Sequence, residues 1–323
     1  MTTPRNKSTA LQKADRPDLT HAITAAHDFA EASRSEATRR AYRADWEHFS
    51  AWCDDHGVTS LPASAETVGC YVADLANDHK VATIQRRLAS INAAYRLAGA
   101  SSPTGHEGVR LVMQGIRRCN GAAPSQARPI GLKELTQIVA ALPESLAGKR
   151  DQALLLLGWA GAFRRSELVA LDVDDLELTD EGYIVTIRRS KTDQEAAGRQ
   201  VGVPYGSSAL CPVTAIRRWL EASGIRVGPV FRKVDRHGHV GREGLNPASV
   251  AEVIKRVAAQ AGLSAQDFSG HSLRSGLATA AAANGATEST IMSQTGHRST
   301  AMVRRYIRQG SLFRQNAASI AGL

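Results

Sequence analysis

The stretch His271-Ser272-Leu273-Arg274-Ser275-Gly276 opens an alanine-rich segment in the last third of the chain. Ser269 is a typical helix N-cap and Gly285 a typical helix end, so the sequence predicts one helix that carries His271 and Arg274. Side chains three residues apart are neighbours on a helix. An arginine offers a planar donor fork that matches phosphate oxygens, and a histidine can donate, accept or move a proton. The two side chains are therefore predicted to converge on a phosphate.

A second group of polar residues follows this helix. Gly296-His297 is separated by a short predicted turn from a helix that begins near Ala301, and Tyr306 lies on that helix among three arginines. Such surroundings are unusual for a core tyrosine, because nearby positive charge favours the phenolate that a nucleophile needs. The sequence therefore predicts that phosphate chemistry is centred on this segment.

The order His271-x-x-Arg274, Gly296-His297, Tyr306 resembles the C-terminal signature of the tyrosine recombinases, also called the phage integrase family. The family's pattern also contains an earlier arginine in a Gly-x-Arg-x-Ser-Glu-Leu-like stretch, and a lysine on a β-hairpin between the two. Ala162-Phe163-Arg164-Arg165-Ser166-Glu167-Leu168 and Ser190-Lys191-Thr192 supply both here, in that order. Such elements rarely occur together in one order by chance.

One position departs from the family's pattern. The residue after the family's arginine is usually apolar, whereas here it is Arg165. We assign the family's role to Arg164, because its separation of three residues from Glu167 fits the pattern. A lone arginine at a helix start could equally well serve only to pair with that glutamate, and this simpler interpretation stays open at the level of sequence.

The resemblance implies transesterification through a covalent protein–DNA intermediate. Tyr306 would attack the phosphorus and hold the strand through its 3′ phosphate, which releases a 5′ hydroxyl. Lys191 would protonate that leaving oxygen. Arg164, Arg274 and His297 would donate hydrogen bonds to the transition state. His271 would accept a proton or act as an orienting donor, and the carboxylate of Glu167 would orient the neighbouring side chains.

Metal ions and cofactors have no predicted site in this sequence. It has no convincing carboxylate cluster for magnesium, so fixed cations would stabilise the transition state and the chemistry is predicted to be metal-independent. His237 and His239 lie in a glycine-rich basic loop without further metal ligands nearby, so this pair is not predicted to bind a metal ion. The four cysteines form no Cys-x-x-Cys pair, which is typical of reduced thiols in a cytoplasmic protein.

The composition is that of a soluble globular protein with a polyanionic partner. The 323 residues are 43% hydrophobic and 22% charged, enough for two domains with their own cores. Forty Lys and Arg against 31 Asp and Glu give a net charge of +9, which suits DNA but is weak support by itself. The longest apolar run, residues 153–163, is far shorter than the roughly 20 residues of a membrane span. We therefore expect a cytoplasmic protein without membrane contact.

Periodicity and composition divide the chain into four parts. Residues 1–20 are a polar flexible tail, 21–119 a helical domain, 120–129 a linker, and 130–323 a second domain that ends in a tail over 311–323. Alternating stretches at 183–189 and 200–204 predict strands on either side of the loop near Lys191, within an otherwise helical domain. The fold class is mainly α with a small β-sheet in the C-terminal domain. The resemblance implies a helical core-binding domain and a tyrosine recombinase catalytic domain that form a C-shaped DNA clamp.

The helical domain has a cationic surface. Between residues 86 and 118 six arginines stand against one acid, Glu107. Such a helical face is usually only solvated, but the resemblance favours contact with the DNA backbone. The candidate DNA contacts are Arg39, Arg40, Arg43, Arg86, Arg87, Arg117 and Arg118.

The C-terminal tail and the biological role complete the expectations. Residues 311–323 contain apolar side chains, and in the family such a tail docks into the adjacent protomer of a cyclic tetramer on two double-stranded DNA sites. We therefore expect a homotetramer on DNA. Three functions remain distinct: a site-specific recombinase, a topoisomerase-like enzyme that only relaxes supercoils, and a non-catalytic architectural or regulatory DNA-binding protein. The complete residue set disfavours the third, since a pure binder needs no such phenol.

Overall fold

The computed structural model describes residues 35–121, 127–188, 198–310, 318 and 321–322. The chain separates into two compact units, Met1–Pro124 and Ser125–Leu323, and this division falls inside the predicted linker. Four predicted features lie wholly or largely outside the described residues: the tail 1–20, the middle of the linker, Lys191, and the C-terminal tail 311–323.

The described part of the first unit consists of helices joined by loops and contains no strand. Its helices are α1 (Glu36–Asp55), α2 (Ala65–Leu75), α3 (Val81–Leu97) and α4 (Glu107–Asn120). Ser35 and Ser64 cap the first two helices by accepting the N–H of Thr38 and Thr67 at 3.3 and 3.0 Å. Phe49, Tyr71 and Tyr95 are buried together in the core of this unit.

The second unit combines helices with two small antiparallel sheets. Its described helices are α5 (Leu132–Ala140), α6 (Leu146–Ala160), α7 (Arg165–Val169), α8 (Pro212–Ser223), α9 (Pro247–Gln260), α10 (Ser272–Ala283), α11 (Glu288–Thr295) and α12 (Thr300–Gly310). The strands are β1 (Leu176–Leu178), β2 (Gly182–Ile187), β3 (Arg199–Pro204), β4 (Arg232–Val234) and β5 (Val240–Gly244). The prediction of a mainly helical fold with a small sheet is confirmed.

The larger sheet has the order β1-β2-β3, and the smaller one pairs β4 with β5. The predicted hairpin is β2 and β3, in register with Val185 opposite Val201. Along β3, Val201 and Val203 are buried while the residues between them are exposed, which is the alternation of a half-buried strand. The sequence analysis missed β1, β4 and β5, which are short.

Helix α6 forms the centre of the second unit. Its residues Leu154 to Leu157 are all buried, and a helix that is apolar on all sides has to be enclosed by others. The fully buried Asp151 on this helix is compensated by Arg150 at 2.7 Å and Arg256 at 2.6 Å. The core around α6 also contains Trp219 of α8, whose indole N–H donates to Val230 O at 2.8 Å.

Helix α10 begins two residues later than the sequence predicts, because a local hydrogen-bonded turn precedes it. The Ser269 hydroxyl accepts the His271 N–H at 3.1 Å, and the Ser269 N–H donates to Ser272 Oγ at 2.9 Å. His271 is therefore the N-cap residue, while Arg274 lies inside the first turn. The predicted helix end is confirmed, since α10 stops at Ala283, just before Gly285.

A close backbone crossing fixes α10 against the rest of the unit. The Ile130 N–H donates to Ser272 O at 2.9 Å, and the Trp159 indole donates to Ile130 O at 2.9 Å. The chain passes α10 at Gly276, where a Cβ would overlap Ile130 O and lie 3.0 Å from the Trp159 indole nitrogen. Only glycine permits this approach.

Of the described helices, none is long and apolar enough to cross a membrane.

We predict that Gly276→Ala lowers the free energy of unfolding of the second unit by about 1–3 kcal/mol, the usual cost of overpacking a core. The matched control is Gly202→Ala on β3, where a Cβ would meet no atom within 4 Å. Alanine in a strand is favoured over glycine by roughly 0.5–1 kcal/mol, so this control is expected to be neutral or stabilising. Urea unfolding measures both variants, and equal effects in the two would contradict the proposed close crossing.

Candidate active site

Arg164 is held at the start of α7 by Glu167. Arg164 is the N-cap residue; its N–H donates to Glu167 Oε2 at 2.9 Å and its Nη1 to Oε1 at 2.5 Å. The Glu167 side chain has no exposed surface, and the Arg164 side chain is 13% exposed. The carboxylate thus both completes the helix start and orients the guanidinium, as expected for an orienting residue.

Arg274 is completely buried, although it is a cation. Its Nη1 donates to Ala162 O at 2.6 Å and its Nη2 to His297 Nε2 at 3.2 Å, whereas its Nε has no hydrogen-bond partner among the described residues. Burial, followed by the charge of the neighbouring Arg164, lowers the pKa of Arg274 to about 10. Arg274 nevertheless stays charged at neutral pH, so the site retains a cation that its surroundings satisfy only in part.

The carbonyl oxygen that accepts a hydrogen bond from Arg274 lies in a strained turn. Ala162 has a φ of 49°, a left-handed conformation that glycine adopts far more readily than alanine, and it stands where the family's stretch has glycine. The same turn leads through Phe163 into Arg164. One backbone conformation therefore positions both arginines of the site.

His297 is a neutral hydrogen-bonded imidazole. The Thr295 hydroxyl lies 2.6 Å from Ile291 O and 2.6 Å from His297 Nδ1. Because a hydroxyl has one proton, which the Ile291 carbonyl can only accept, Thr295 accepts from Nδ1–H. Nε2 is then left without a proton and accepts from Arg274. Burial lowers the pKa of His297 from 6.5 to about 4, with Arg274 as the next cause.

Tyr306 lies beside this imidazole on α12. The two ring centroids are 5.8 Å apart, and Tyr306 is only 1% exposed. It packs against Ala278 and Ala282 of α10, yet its hydroxyl finds no hydrogen-bond partner in the described part of the chain. A buried phenol without a partner is costly, so its hydroxyl is available for a ligand.

His271 is brought to the edge of the site and differs from its predicted partner in exposure. It is exposed, while Arg274 is fully buried. Its charge contributes to the lowered pKa of His297, so the two histidines lie within electrostatic reach of each other. The structure thus brings together Arg164, Glu167, His271, Arg274, His297 and Tyr306, whereas Lys191 lies outside the described residues.

A third arginine in the site was missed by the sequence analysis. Arg199, at the start of β3, lies with Nη2 3.6 Å from Glu167 Oε2 and donates from Nη1 to Gln294 O at 3.1 Å. Its side chain packs against Gly296, where a Cβ would lie 2.8 Å from Arg199 Nε. The alternation of β3 could have revealed it, because Arg199 lies on the same face of the strand as the buried Val201 and Val203 and is therefore expected to point inward.

Arg87 occupies a different position from the other candidate DNA contacts. It is only 9% exposed, and its Nη1 lies 2.9 Å from His48 Nδ1 and 3.2 Å from the Tyr71 hydroxyl. Its Nη2 is 3.1 Å from His79 Nε2, and Asp45 lies 3.8 Å from its Nε. This internal network explains its burial and does not favour contact with DNA.

The other candidate DNA contacts are exposed. They lie on α1, α3 and α4, and they are Arg39, Arg40, Arg43, Arg86, Arg117 and Arg118. Arg86 also pairs with Asp45 at 3.1 Å. Their exposure is compatible with binding of a DNA backbone, which stays a prediction.

The site is a preorganised anion pocket. Arg164 and Arg199 pair with the buried Glu167 carboxylate, and the charge of Glu167 also acts on Arg274, so positive charge exceeds negative charge around the unpartnered phenol. Fixed donors of this kind stabilise charge that develops on a phosphorus centre. The arrangement suits attack of a phenol on a phosphodiester.

Comparison with known proteins agrees with this chemistry. A model of the Phage integrase family matches residues 130–311, and a model of the phage integrase N-terminal SAM-like domain matches residues 27–100. The chain belongs to the phage integrase family of tyrosine recombinases. It is accordingly an enzyme of the recombinase and integrase type.

This tyrosine recombinase has a curated relative of similar length. The chain is 44% identical over 293 residues to the integrase/recombinase xerD homolog of Selenomonas ruminantium, and the match covers 89% of this chain and 86% of the relative. Among solved structures it is similar to the XerH recombinase bound to palindromic difH substrate in a post-cleavage complex, with a TM-score of 0.60, 16% identity, and 82% and 74% of the two chains covered. It is also similar to a lambda integrase tetramer bound to a Holliday junction, with a TM-score of 0.60, 17% identity, and coverage of 90% and 77%. At such identities the two structures show the shared fold.

We predict that His297 of this tyrosine recombinase is a neutral Nδ1–H tautomer at neutral pH and titrates near pH 4. The unfolded chain takes up its proton first, because its histidine pKa is near the ordinary 6.5. As the pH falls from about 6.5 toward 4, proton uptake by His297 therefore favours unfolding.

Nitrogen-15 NMR of the histidine rings measures the tautomer and its titration. Thr295→Val is the matched control, since it keeps the shape but removes the acceptor for Nδ1–H and should admit the Nε2–H tautomer. A wild-type imidazole that is charged near pH 6, or protonated only on Nε2, would contradict this assignment.

Proposed function

We propose that this chain is a site-specific DNA recombinase that cuts and rejoins strands through a covalent 3′-phosphotyrosine at Tyr306, without a metal ion or high-energy cofactor. The observation that carries the proposal is the buried Tyr306 hydroxyl next to His297, which has no hydrogen-bond partner among the described residues. In the same part of the chain, the arginines of the site outnumber its carboxylate, Glu167. Family membership and the relative named as a recombinase support it.

The chemistry is a transesterification. The Tyr306 oxygen forms a bond to the scissile phosphorus while the bond from phosphorus to the 5′ oxygen breaks. The phenolic proton passes to a base, for which His271 is the candidate, and Lys191 gives a proton to the leaving oxygen. The bond energy is kept in the phosphotyrosine, so a 5′ hydroxyl of another strand can reverse the reaction and rejoin the DNA.

Arg164 and Arg274 are the donors for the non-bridging oxygens. Their fixed positions, set by Glu167 and by the Ala162 carbonyl, mean that little reorganisation is needed when charge develops. Arg274 Nε, which has no partner in the described part of the chain, is free for a phosphate oxygen. Loss of either arginine is expected to slow cleavage by roughly 10²–10³-fold, the usual cost of removing one such donor.

His297 must change its protonation to act as a donor. In the free site its Nε2 accepts from Arg274, so donation to phosphate requires either the other tautomer or an added proton. A bound phosphate favours the added proton, because a nearby negative charge raises a histidine pKa. Binding of DNA would thus convert an acceptor into a donor.

The partners are proposed to be two double-stranded DNA sites and three further copies of this chain. The lambda integrase with a similar fold forms a tetramer on a Holliday junction, and residues 311–323 here have the apolar pattern of a docking segment. The six exposed arginines of the first unit would bind the DNA backbone. We expect the enzyme to act in the cytoplasm. No observation favours supercoil relaxation alone or a purely architectural role.

The covalent intermediate gives the most direct prediction. When the protein is incubated with EDTA and DNA from around its own gene and then quenched with detergent, we expect an adduct at one defined position. Tyr306→Phe should abolish the adduct while DNA binding persists, because only the nucleophile is removed. Gel electrophoresis and sequencing of the attachment point measure it.

Two outcomes would contradict the proposal in different ways. Specific DNA binding without any wild-type adduct would favour the non-catalytic alternative. An adduct that forms without EDTA and is lost with it would contradict the metal-free mechanism.

A second prediction concerns the tail. Removal of residues 311–323 should weaken assembly on two DNA sites, because the docking segment is lost, while binding of one copy to a half-site persists. Sedimentation of the truncated protein with DNA measures assembly, and the intact chain is the control. Unchanged assembly would contradict the docking role.

A further inference from the structure

A cationic cleft lies next to the catalytic pocket in the second unit. It has a volume of about 730 Å³, within the roughly 300–1,000 Å³ of common ligand clefts. Its wall includes four basic side chains and one carboxylate, which are Arg128, Arg165, Lys255, His271 and Asp267. None of the catalytic roles above uses Arg128, Arg165 or Lys255.

The charge of the cleft comes mainly from two side chains. Arg128 pairs with Glu134 at 2.8 Å, so its charge is largely offset. Arg165 and Lys255 are exposed, and in the described part of the chain neither forms an ion pair with a carboxylate. Asp267 in the same wall offsets one of these two charges, so an anion that enters the cleft meets a net excess of positive charge.

Arg165 is placed in this cleft by a contact with Gly270. A Cβ at position 270 would overlap Arg165 Cδ and lie 2.6 Å from Cγ and 2.9 Å from Nε. The arginine stem therefore lies directly on the backbone beside His271. The missing side chain of Gly270 makes room for an arginine at a position where the family usually has an apolar residue.

His271 joins the cleft to the catalytic pocket. It lines the cleft, and its charge acts on His297 inside the pocket. Arg164 and Arg165 are consecutive, and the first pairs with buried Glu167 while the second lines the cleft. A DNA strand whose scissile phosphate lies among the catalytic arginines has neighbouring phosphates only one nucleotide away.

We propose that this cleft binds a phosphodiester flanking the scissile phosphate, with Arg165 as its main donor and Gly270 as the residue that keeps Arg165 in place. The proposal rests on the proposed DNA-cleaving function. The ligand class is a nucleic-acid phosphate, bound without regard to base. Arg165 is thus a positioning residue, which fixes the register of the strand over Tyr306.

The test is a scan of neutral phosphates that needs no cleavage. A duplex half-site is selected from a random-sequence pool with the full-length Tyr306→Phe protein, and a methylphosphonate then replaces each phosphate in turn. We expect one flanking position at which the neutral group weakens binding roughly tenfold, as for loss of a charged hydrogen bond. Arg165→Ala, added to the same protein, should weaken binding to unmodified DNA equally and remove the sensitivity at that position alone.

Two further variants separate the contact from general charge. Gly270→Ala keeps the charge but displaces Arg165, so it should reproduce the loss at the same phosphate. Arg226→Ala removes an exposed arginine that lines no part of the cleft, and it should leave the profile unchanged. The slope of log affinity against log salt should fall in magnitude by about 0.9 in Arg165→Ala.

The outcomes distinguish this proposal from the proposed function. The cleft assignment is overturned if no flanking phosphate is sensitive, if the sensitive position persists in Arg165→Ala, or if Arg226→Ala weakens binding as much. A sensitive phosphate that depends on Arg165, in a protein whose Tyr306 form makes no adduct, would support the cleft while contradicting the catalytic function.

Discussion

The structure of the second unit depends on one buried and two partly buried arginines that lie around one buried carboxylate. They are Arg274, Arg164 and Arg199, and among the described residues the carboxylate that opposes their charge is Glu167. Such burial is costly, since removing cations from water takes several kcal/mol each and like charges repel. The lowered pKa of Arg274 is the sign of that cost. A bound anion would offset part of this charge.

The surrounding fold compensates for this charge with backbone carbonyls. Arg274 uses Ala162 O, and Arg199 uses Gln294 O. The Ala162 carbonyl can accept from Arg274 because a left-handed turn follows α6. The Gln294 carbonyl can accept from Arg199 because it lies at the end of α11, beside β3. The close crossing at Gly276 holds α10, and hence Arg274, against the same turn. Packing far from the phosphate thus sets the positions of the groups that would bind it.

Much of this site could be predicted from the sequence, because its residues lie in short local patterns. Arg164 at a helix start and the helix that carries Arg274 follow from capping and spacing rules. The position of Arg199 could not be inferred in the same way, since it depends on how β3 packs against the Gly296 turn, about a hundred residues further along the chain. The burial of Arg87 likewise depends on partners from two other helices, α1 and α2. The state of His297 depends on one hydroxyl proton that no sequence rule describes.

The most direct measurement compares stability and activity in Arg274→Met. If the buried cations are kept for the phosphate at a cost to stability, this variant should unfold at an equal or higher urea concentration than wild type and form no DNA adduct. Replacement of a whole buried ion pair by apolar side chains is often neutral or stabilising by about 1–4 kcal/mol. Arg274→Met should behave in this way because Glu167 keeps its two paired arginines, Arg164 and Arg199. A loss of about 3–5 kcal/mol, the cost of breaking a buried ion pair, would instead show that Arg274 is mainly a structural partner and would contradict this account.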